Sequence, residues 1–265
     1  MTTLLRRFAQ GIRHQPMLKR FDGLWNALRP TYRWMLNRTS PHGVGVTING
    51  EVVRIDPAFA SIGWETVEPE CYRTFIDAVP PDGLVFDIGS HIGTYSILCA
   101  RKLASNGRVV AFEPTNVTRE YLVKHLAWNG VTDRVTVRAS CCSDKPGTAK
   151  FYVKIGDAEA QNSLRPDERF DVVEVEATTI DAEAAKVGRT PDLIKIDVEG
   201  GEWDVLQGAE ATLTKRRPLI LLSVHPDRLP ESVTEESILE RLHGLGYKTR
   251  ILGRDHEVHV WAESQ

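Results

Sequence analysis

Val85-Phe86-Asp87-Ile88-Gly89-Ser90-His91-Ile92-Gly93-Thr94 runs from an apolar stretch into a glycine-containing turn and on into a helical pattern. Strand, glycine loop and helix in that order open a βαβ unit, and ligands of open α/β sheets bind beyond the carboxyl ends of the strands. The same alternation continues outward. Leu84 to Ile88 is the first strand, Thr94 to Leu103 a helix, Arg108 to Phe112 a strand, Thr118 to Trp128 a helix closed by Asn129-Gly130, and Val135 to Ala139 a further strand. Asp192 to Ile196 and Leu219 to Val224 read as buried strands around a helix from Glu202 to Leu213. A helix from Glu235 to Leu245 precedes two closely spaced strands, Lys248 to Leu252 and His256 to Trp261, which their short connection makes antiparallel. Short apolar runs alternating with helical stretches give an α/β fold with a largely parallel sheet.

Upstream, Val44 to Ile55 alternates around Asn49-Gly50, a hairpin signal, and Pro69 to Val79 has helical spacing ended by Pro80-Pro81-Asp82-Gly83. These divide the chain into an N-terminal helical and β-hairpin extension over residues 1–80 and a catalytic domain over 81–265. Two alternating runs, Ala149 to Ile155 and Val172 to Glu176, form an antiparallel insertion at about residues 148–177. The polar stretch between them, with Asn162-Ser163, is placed to act as a lid.

Composition narrows the class. The 265 residues are 42% hydrophobic and 26% charged, and the formal charge of −3 gives no global reason to expect a nucleic-acid partner. Cys71, Cys99, Cys141 and Cys142 lack the paired spacing of a structural zinc site, which fits a reducing, cytoplasmic setting. The longest apolar runs are too short to span a bilayer. The first forty residues carry eight Lys or Arg against Asp22 alone, interleaved with apolar side chains, which suits a helical cap or peripheral contact with anionic lipid.

The glycine loop selects among cofactors by charge. A dinucleotide loop reads G-x-G-x-x-G so that backbone approaches a pyrophosphate, but here His91 stands at the second glycine and Asp87 precedes Gly89 by two residues. That carboxylate opposes a pyrophosphate and attracts a cation, such as the ammonium and sulfonium of S-adenosylmethionine. Glu113 follows the second strand, 24 residues after Gly89, where a carboxylate can accept both ribose hydroxyls. Asp87, Gly89, Ser90, His91, Gly93 and Glu113 form the expected cofactor set, with Asp144, beside Ser143, near the adenine. Asp144 equally suits a plain Asp-Lys-Pro-Gly turn.

At the other lip, Asp197 and Glu199 follow a central strand and His225 ends the next. Transfer of a methyl to a hydroxyl needs a proton acceptor, so Asp197, Glu199 and His225 are the catalytic candidates, His225 having an ordinary pKa near about 6.5. The same oxygen-rich set suits a divalent metal, magnesium or manganese, a possibility not favoured over metal-free transfer. Lys195, on the strand that leads to Asp197, requires an ion-pair partner, and Trp64, Trp128 and Trp203 are expected to pack rather than to form a substrate platform.

Phe86 to Gly93, Phe112-Glu113-Pro114, and Asp192-Leu193-Ile194-Lys195-Ile196-Asp197-Val198-Glu199-Gly200-Gly201-Glu202 through Gly208-Ala209 resemble the FkbM family of methyltransferases, a similarity spanning about Val44 to Pro226. The resemblance implies a class I methyltransferase sheet of seven strands, S-adenosylmethionine as methyl donor, and O-methylation of a small molecule, polyketide or sugar. Two other functions stay open: a noncatalytic S-adenosylmethionine-binding scaffold and an NAD-dependent oxidoreductase.

Overall fold

In the first strand of the main sheet every side chain is buried, which is what an apolar run flanked by strands and covered on both faces should show. The computed structural model describes residues 40–153 and 171–264. The basic segment at residues 1–39 and the expected lid around Asn162-Ser163 lie outside the described residues. The chain divides into two compact units, Met1–Glu65 and Thr66–Gln265. In the first, β1 (Val44–Ile48) and β2 (Glu51–Ile55) form the expected hairpin, with Asn49 and Gly50 both at positive φ. Trp64 is buried there, its Nε1 donating to Phe59 O at 2.9 Å, a packing role.

The second unit begins ahead of α1 (Pro69–Asp77), so the division expected at residue 80 falls inside it. Tyr72 of α1 stacks on Tyr95 of α2 (Thr94–Lys102) at 4.0 Å, and its hydroxyl meets Thr94 Oγ1 at 2.7 Å. The seven-stranded sheet also contains β3 (Leu84–Ile88), β4 (Arg108–Phe112), β5 (Val135–Arg138), β9 (Leu193–Ile196), β10 (Leu219–Val224), β11 (Tyr247–Arg254) and β12 (Val258–Ser264). Its order is β11-β12-β10-β9-β3-β4-β5, parallel except for β12, which pairs antiparallel with both neighbours. This is the class I methyltransferase sheet. Phe86 and Phe112 meet edge to face at 5.5 Å in its core. Between β4 and β5 lies α3 (Asn116–Trp128), where half-buried Trp128 packs beside His125.

A separate three-stranded sheet holds β6 (Ser140–Cys142), β8 (Asp171–Thr178) and β7 (Gly147–Val153), the antiparallel β7–β8 pair being the expected insertion. The strand expected to run through Ala139 ends at Arg138, and the chain then leaves the main sheet to pair with β8. After β8 comes α4 (Ile180–Val187). The helix expected from Glu202 to Leu213 is two helices, α5 (Glu202–Gln207) and α6 (Glu210–Lys215). A Cβ on Gly208 would lie 2.0 Å from Ser143 O, so the break passes closely over the β6 turn. Asp181 then caps α6, accepting from Ala211 N at 2.8 Å and Thr212 N at 2.7 Å. Removing that cap, as in Asp181→Ala, should lower unfolding free energy by about 1 kcal/mol in urea titration. The last helix, α7 (Glu235–Gly244), starts with a capping box formed by Thr234 and Ser237.

Candidate functional site

The sheet order sets β3 beside both β4 and β9, with β10 next, so the loops that follow these strands open onto one edge. A cavity of about 270 Å³ lies there. Gly89 leads the first loop with φ +77°, and a Cβ at that position would stand 1.7 Å from Asp197 O. Its N–H and that of Ser90 both donate to Phe112 O, while Ser90 Oγ adds a third bond to the same carbonyl. His91 occupies the left-handed region at φ +48°, so the position keeps a glycine-like backbone without the glycine. Its N–H points at Glu113 Oε2, 3.1 Å away. Gly93, at φ +87°, begins α2 where a Cβ would meet Leu122 Cδ1 at 2.3 Å.

Glu113 is buried and also accepts from Thr115 N and Thr115 Oγ1, at 2.9 and 2.5 Å. Burial raises its carboxyl to about 7 against these three donors. The structure therefore brings Gly89, His91 and Glu113 to the cavity wall, with Ser90 and Gly93 shaping the loop behind them. Asp87 lies deeper. It accepts from Ser96 Oγ at 2.5 Å through Oδ2, Oδ1 has no hydrogen-bond partner, and burial raises its carboxyl. Asp144 stands elsewhere, exposed in the turn between β6 and β7 and near Lys145, with Ser143 Oγ donating to it at 3.2 Å. Pairing of β6 with β8 carries residues 143–144 away from the wall, and Cys141 and Cys142 line it instead.

The opposite wall is built from the chain that follows β9 and the chain that precedes β12, with His225, after β10, in contact with both. Asp197 N donates to Ile88 O, extending the β3–β9 register by one residue. Asp197 Oδ2 receives Lys195 Nζ at 2.9 Å, and that buried ammonium also sits 4.9 Å over the Tyr95 ring and opposite Asp87 in register. The required ion-pair partner of Lys195 is thus Asp197. Burial would raise the Asp197 carboxyl, but Lys195 and then His225 outweigh it and hold it below the usual range. Glu199 adopts φ +55° and accepts from Arg228 Nη1 at 2.5 Å; burial raises its carboxyl to about 7 despite the facing His225.

His225, expected as a base, sits among four carboxylates. Its Nδ1 lies 2.8 Å from Glu202 Oε1, and its Nε2 is 3.1 Å from Glu257 Oε2, 3.3 Å from Glu199 Oε2 and 3.7 Å from Asp197 Oδ1. Burial disfavours the imidazolium, but Glu202, Glu257 and Asp197 outweigh it and push the ring up to about 11. Carboxylates facing both ring nitrogens favour the imidazolium, the form that cannot accept a proton, as long as no other cation takes their charge.

Three contributing residues were not singled out in the sequence: Glu68, which precedes α1 and accepts from Tyr95 Oη; Glu257, beside β12; and Glu202 at the start of α5. Glu202 had a signal, since it closes the Glu199-Gly200-Gly201-Glu202 run. Glu257 lies 32 residues beyond His225 and becomes its neighbour only because β12 pairs with β10. The Trp203 ring packs against the main core with the Arg241 guanidinium 5.4 Å away. All four cysteines are free and buried. Among the described residues no helix is long and apolar enough to cross a membrane.

The family model described as the methyltransferase FkbM domain matches residues 87–249, more than half of the chain. The hexuronic acid methyltransferase AglP of Haloferax volcanii is 24% identical over 168 residues, which cover 63% of this chain and 66% of that protein. The 2-O-methyltransferase NoeI of Sinorhizobium fredii is 29% identical over 153 residues, covering 52% and 61%. The chain thus spans less than two thirds of the length of these relatives. Among solved structures, the ribosomal protein L11 methylase of Lactobacillus delbrueckii subsp. bulgaricus shares the fold at a TM-score of 0.51, with 15% identity over 82% of this chain and 87% of that one.

Proposed function

The chain belongs to the FkbM family of methyltransferases, and from that membership we propose that it binds S-adenosylmethionine and methylates a hydroxyl group, most readily that of a sugar. One observation carries the reading. Glu68, Glu113, Asp197, Glu199 and Glu257 line the cavity, and no lysine or arginine among the described residues does. Such a wall repels a pyrophosphate and attracts a cationic nucleoside. It argues against a nicotinamide dinucleotide, and the sugar-modifying names of AglP and NoeI support a carbohydrate acceptor.

Bound S-adenosylmethionine supplies an electrophilic methyl on a sulfonium. Glu113 is the residue to accept the ribose hydroxyls, while the His91 and Thr115 donors keep its carboxylate fixed. Asp87 provides negative charge on the methionine side, tempered by Lys195 opposite it in register. Asp197 holds the acceptor hydroxyl and Glu199, its carboxyl raised to about 7, takes the proton, because the carboxylates around His225 favour its protonated form. Orientation of the acceptor by fixed carboxylates supplies much of the rate.

Calorimetry with S-adenosylhomocysteine and with NAD tests the donor assignment: heat with the first and none with the second is expected. Affinity for S-adenosylhomocysteine should fall as pH drops from 8 to 6. A Glu113 carboxyl raised to about 7 becomes protonated across that window and loses an acceptor. Glu113→Gln should bind about 10-fold or more weakly and show a flatter profile. Radiolabel transfer from methyl-labelled S-adenosylmethionine into sugar pools tests the acceptor; donor binding without transfer to any acceptor would leave a scaffold protein.

A further inference from the structure

The carboxylate cluster around His225 has features that proton acceptance does not use. Glu257 is 5% exposed, and its Oε2 has no hydrogen-bond partner although it lies 3.1 Å from His225 Nε2. A buried carboxylate oxygen left in that state is costly unless a cation completes it. Asp197 presents Oδ1 to the same point, 3.7 Å from His225 Nε2, because its other oxygen is held by Lys195.

We propose that Asp197 Oδ1, His225 Nε2 and Glu257 Oε2 form a divalent-cation site at the acceptor end of the cavity. These ligand atoms lie within 4.8 Å of one another. Adjacent donors of an octahedral ion with bonds of about 2.1 Å stand about 3 Å apart, and the two carboxylate oxygens lie 3.1 and 3.7 Å from His225 Nε2.

The surroundings fit this use of the histidine. Glu202 Oε1 accepts from His225 Nδ1 at 2.8 Å and from Gly200 N at 2.9 Å, and Glu202 is fully buried. A carboxylate on Nδ1 orients the ring so that Nε2 faces the ligand oxygens, as outer carboxylates do for metal-bound histidines. The ion takes the place of the Nε2 proton. Two carboxylates and one imidazole suit a hard or borderline ion such as Mn²⁺ or Mg²⁺. Given the methyltransferase reading, the ion would hold the acceptor oxygen and acidify its hydroxyl, and Glu199, 3.3 Å from Nε2 on the same wall, would receive the proton.

The test uses the full chain stripped with EDTA and desalted, titrated with Mn²⁺ and followed by electron paramagnetic resonance. Capture of one Mn²⁺ per chain is expected, with nitrogen modulation from an imidazole ligand. Glu257→Gln and His225→Gln should each weaken capture by about 10–100-fold, and His225→Gln should abolish the nitrogen signal. Thermal melts establish that each variant is folded; if one is not, Asp197→Asn supplies the comparison. Wild-type protein that leaves Mn²⁺ free, or folded variants that bind it equally well, would overturn the site. Calorimetry with S-adenosylhomocysteine on the same samples separates the two readings. Donor binding without Mn²⁺ capture removes only the metal site, and Mn²⁺ capture without donor binding removes only the donor assignment.

Discussion

Asp197→Asn should lower kcat/KM for methyl transfer by about 10²- to 10⁴-fold, the range lost when a group positioned on a transferred proton is removed. The substitution keeps the shape of the side chain and deletes its charge. Asp197 faces two cations at once, Lys195 at 2.9 Å and His225 at 3.7 Å, and lines the cavity between them. An amide there presents either a donor to Lys195 or a donor to the acceptor, and neither replaces a carboxylate. Lys195 keeps the nearby negative charge of Asp87, opposite it in the β3–β9 register, so the variant should fold. Glu113 and the glycine loop are untouched. Affinity for S-adenosylhomocysteine should therefore stay within about tenfold of wild type, and calorimetry beside steady-state rates checks both halves. A loss of affinity that accounts for the whole loss of rate would move Asp197 from the acceptor to the methionine ammonium.

The cofactor side of this site was legible in the sequence because its geometry is local. Strand, loop and helix follow one another within residues 84–102, and the parallel neighbour places Glu113 beside His91 by a single βαβ crossover. Position 91 shows the limit of residue identity as a signal. The backbone takes a left-handed conformation usual for glycine, yet the residue is histidine, and its N–H serves Glu113.

The acceptor side was legible only in part. That Asp197, Glu199 and His225 come together was legible because each ends a strand or begins the following loop. The surroundings of His225 were not legible, since Glu202 and Glu257 reach it through a helix start and an antiparallel strand from the end of the chain. Sequence spacing sees one imidazole with an ordinary pKa; the fold surrounds it with carboxylates. Asp144, which does not line the cavity, shows the converse. Its proximity to the third strand suggested the sheet edge, but β6 changes sheets at Ser140 and takes the turn away from the cavity. The helix break at Gly208 also depends on distant chain, the carbonyl of Ser143.

Gly89→Ala is expected to be the most damaging glycine-to-alanine change among the described residues, lowering unfolding free energy by about 3–5 kcal/mol from backbone strain and overpacking together. Its φ of +77° disfavours any side chain, and the added Cβ would fall 1.7 Å from Asp197 O and 2.9 Å from its carbonyl carbon. Backbone at the end of a central strand cannot yield as a flexible side chain would. Either β3 and β9 separate at their carboxyl ends or the loop lifts from Phe112 O, where Gly89 N and Ser90 N now bond at 3.2 and 3.0 Å. Both movements displace His91 from Glu113, so S-adenosylhomocysteine affinity should fall by about 100-fold or more. Gly130→Ala supplies the control, because Gly130 has φ +68° but nothing within 4 Å of its added Cβ. That variant carries strain alone and should lose about 1 kcal/mol with donor affinity intact. The difference between the two, read from urea unfolding and calorimetry, measures how closely the glycine loop and the Asp197 strand end must approach for the cavity to exist. Equal losses would mean that φ alone governs position 89, and that the contact with Asp197 O relaxes at no cost.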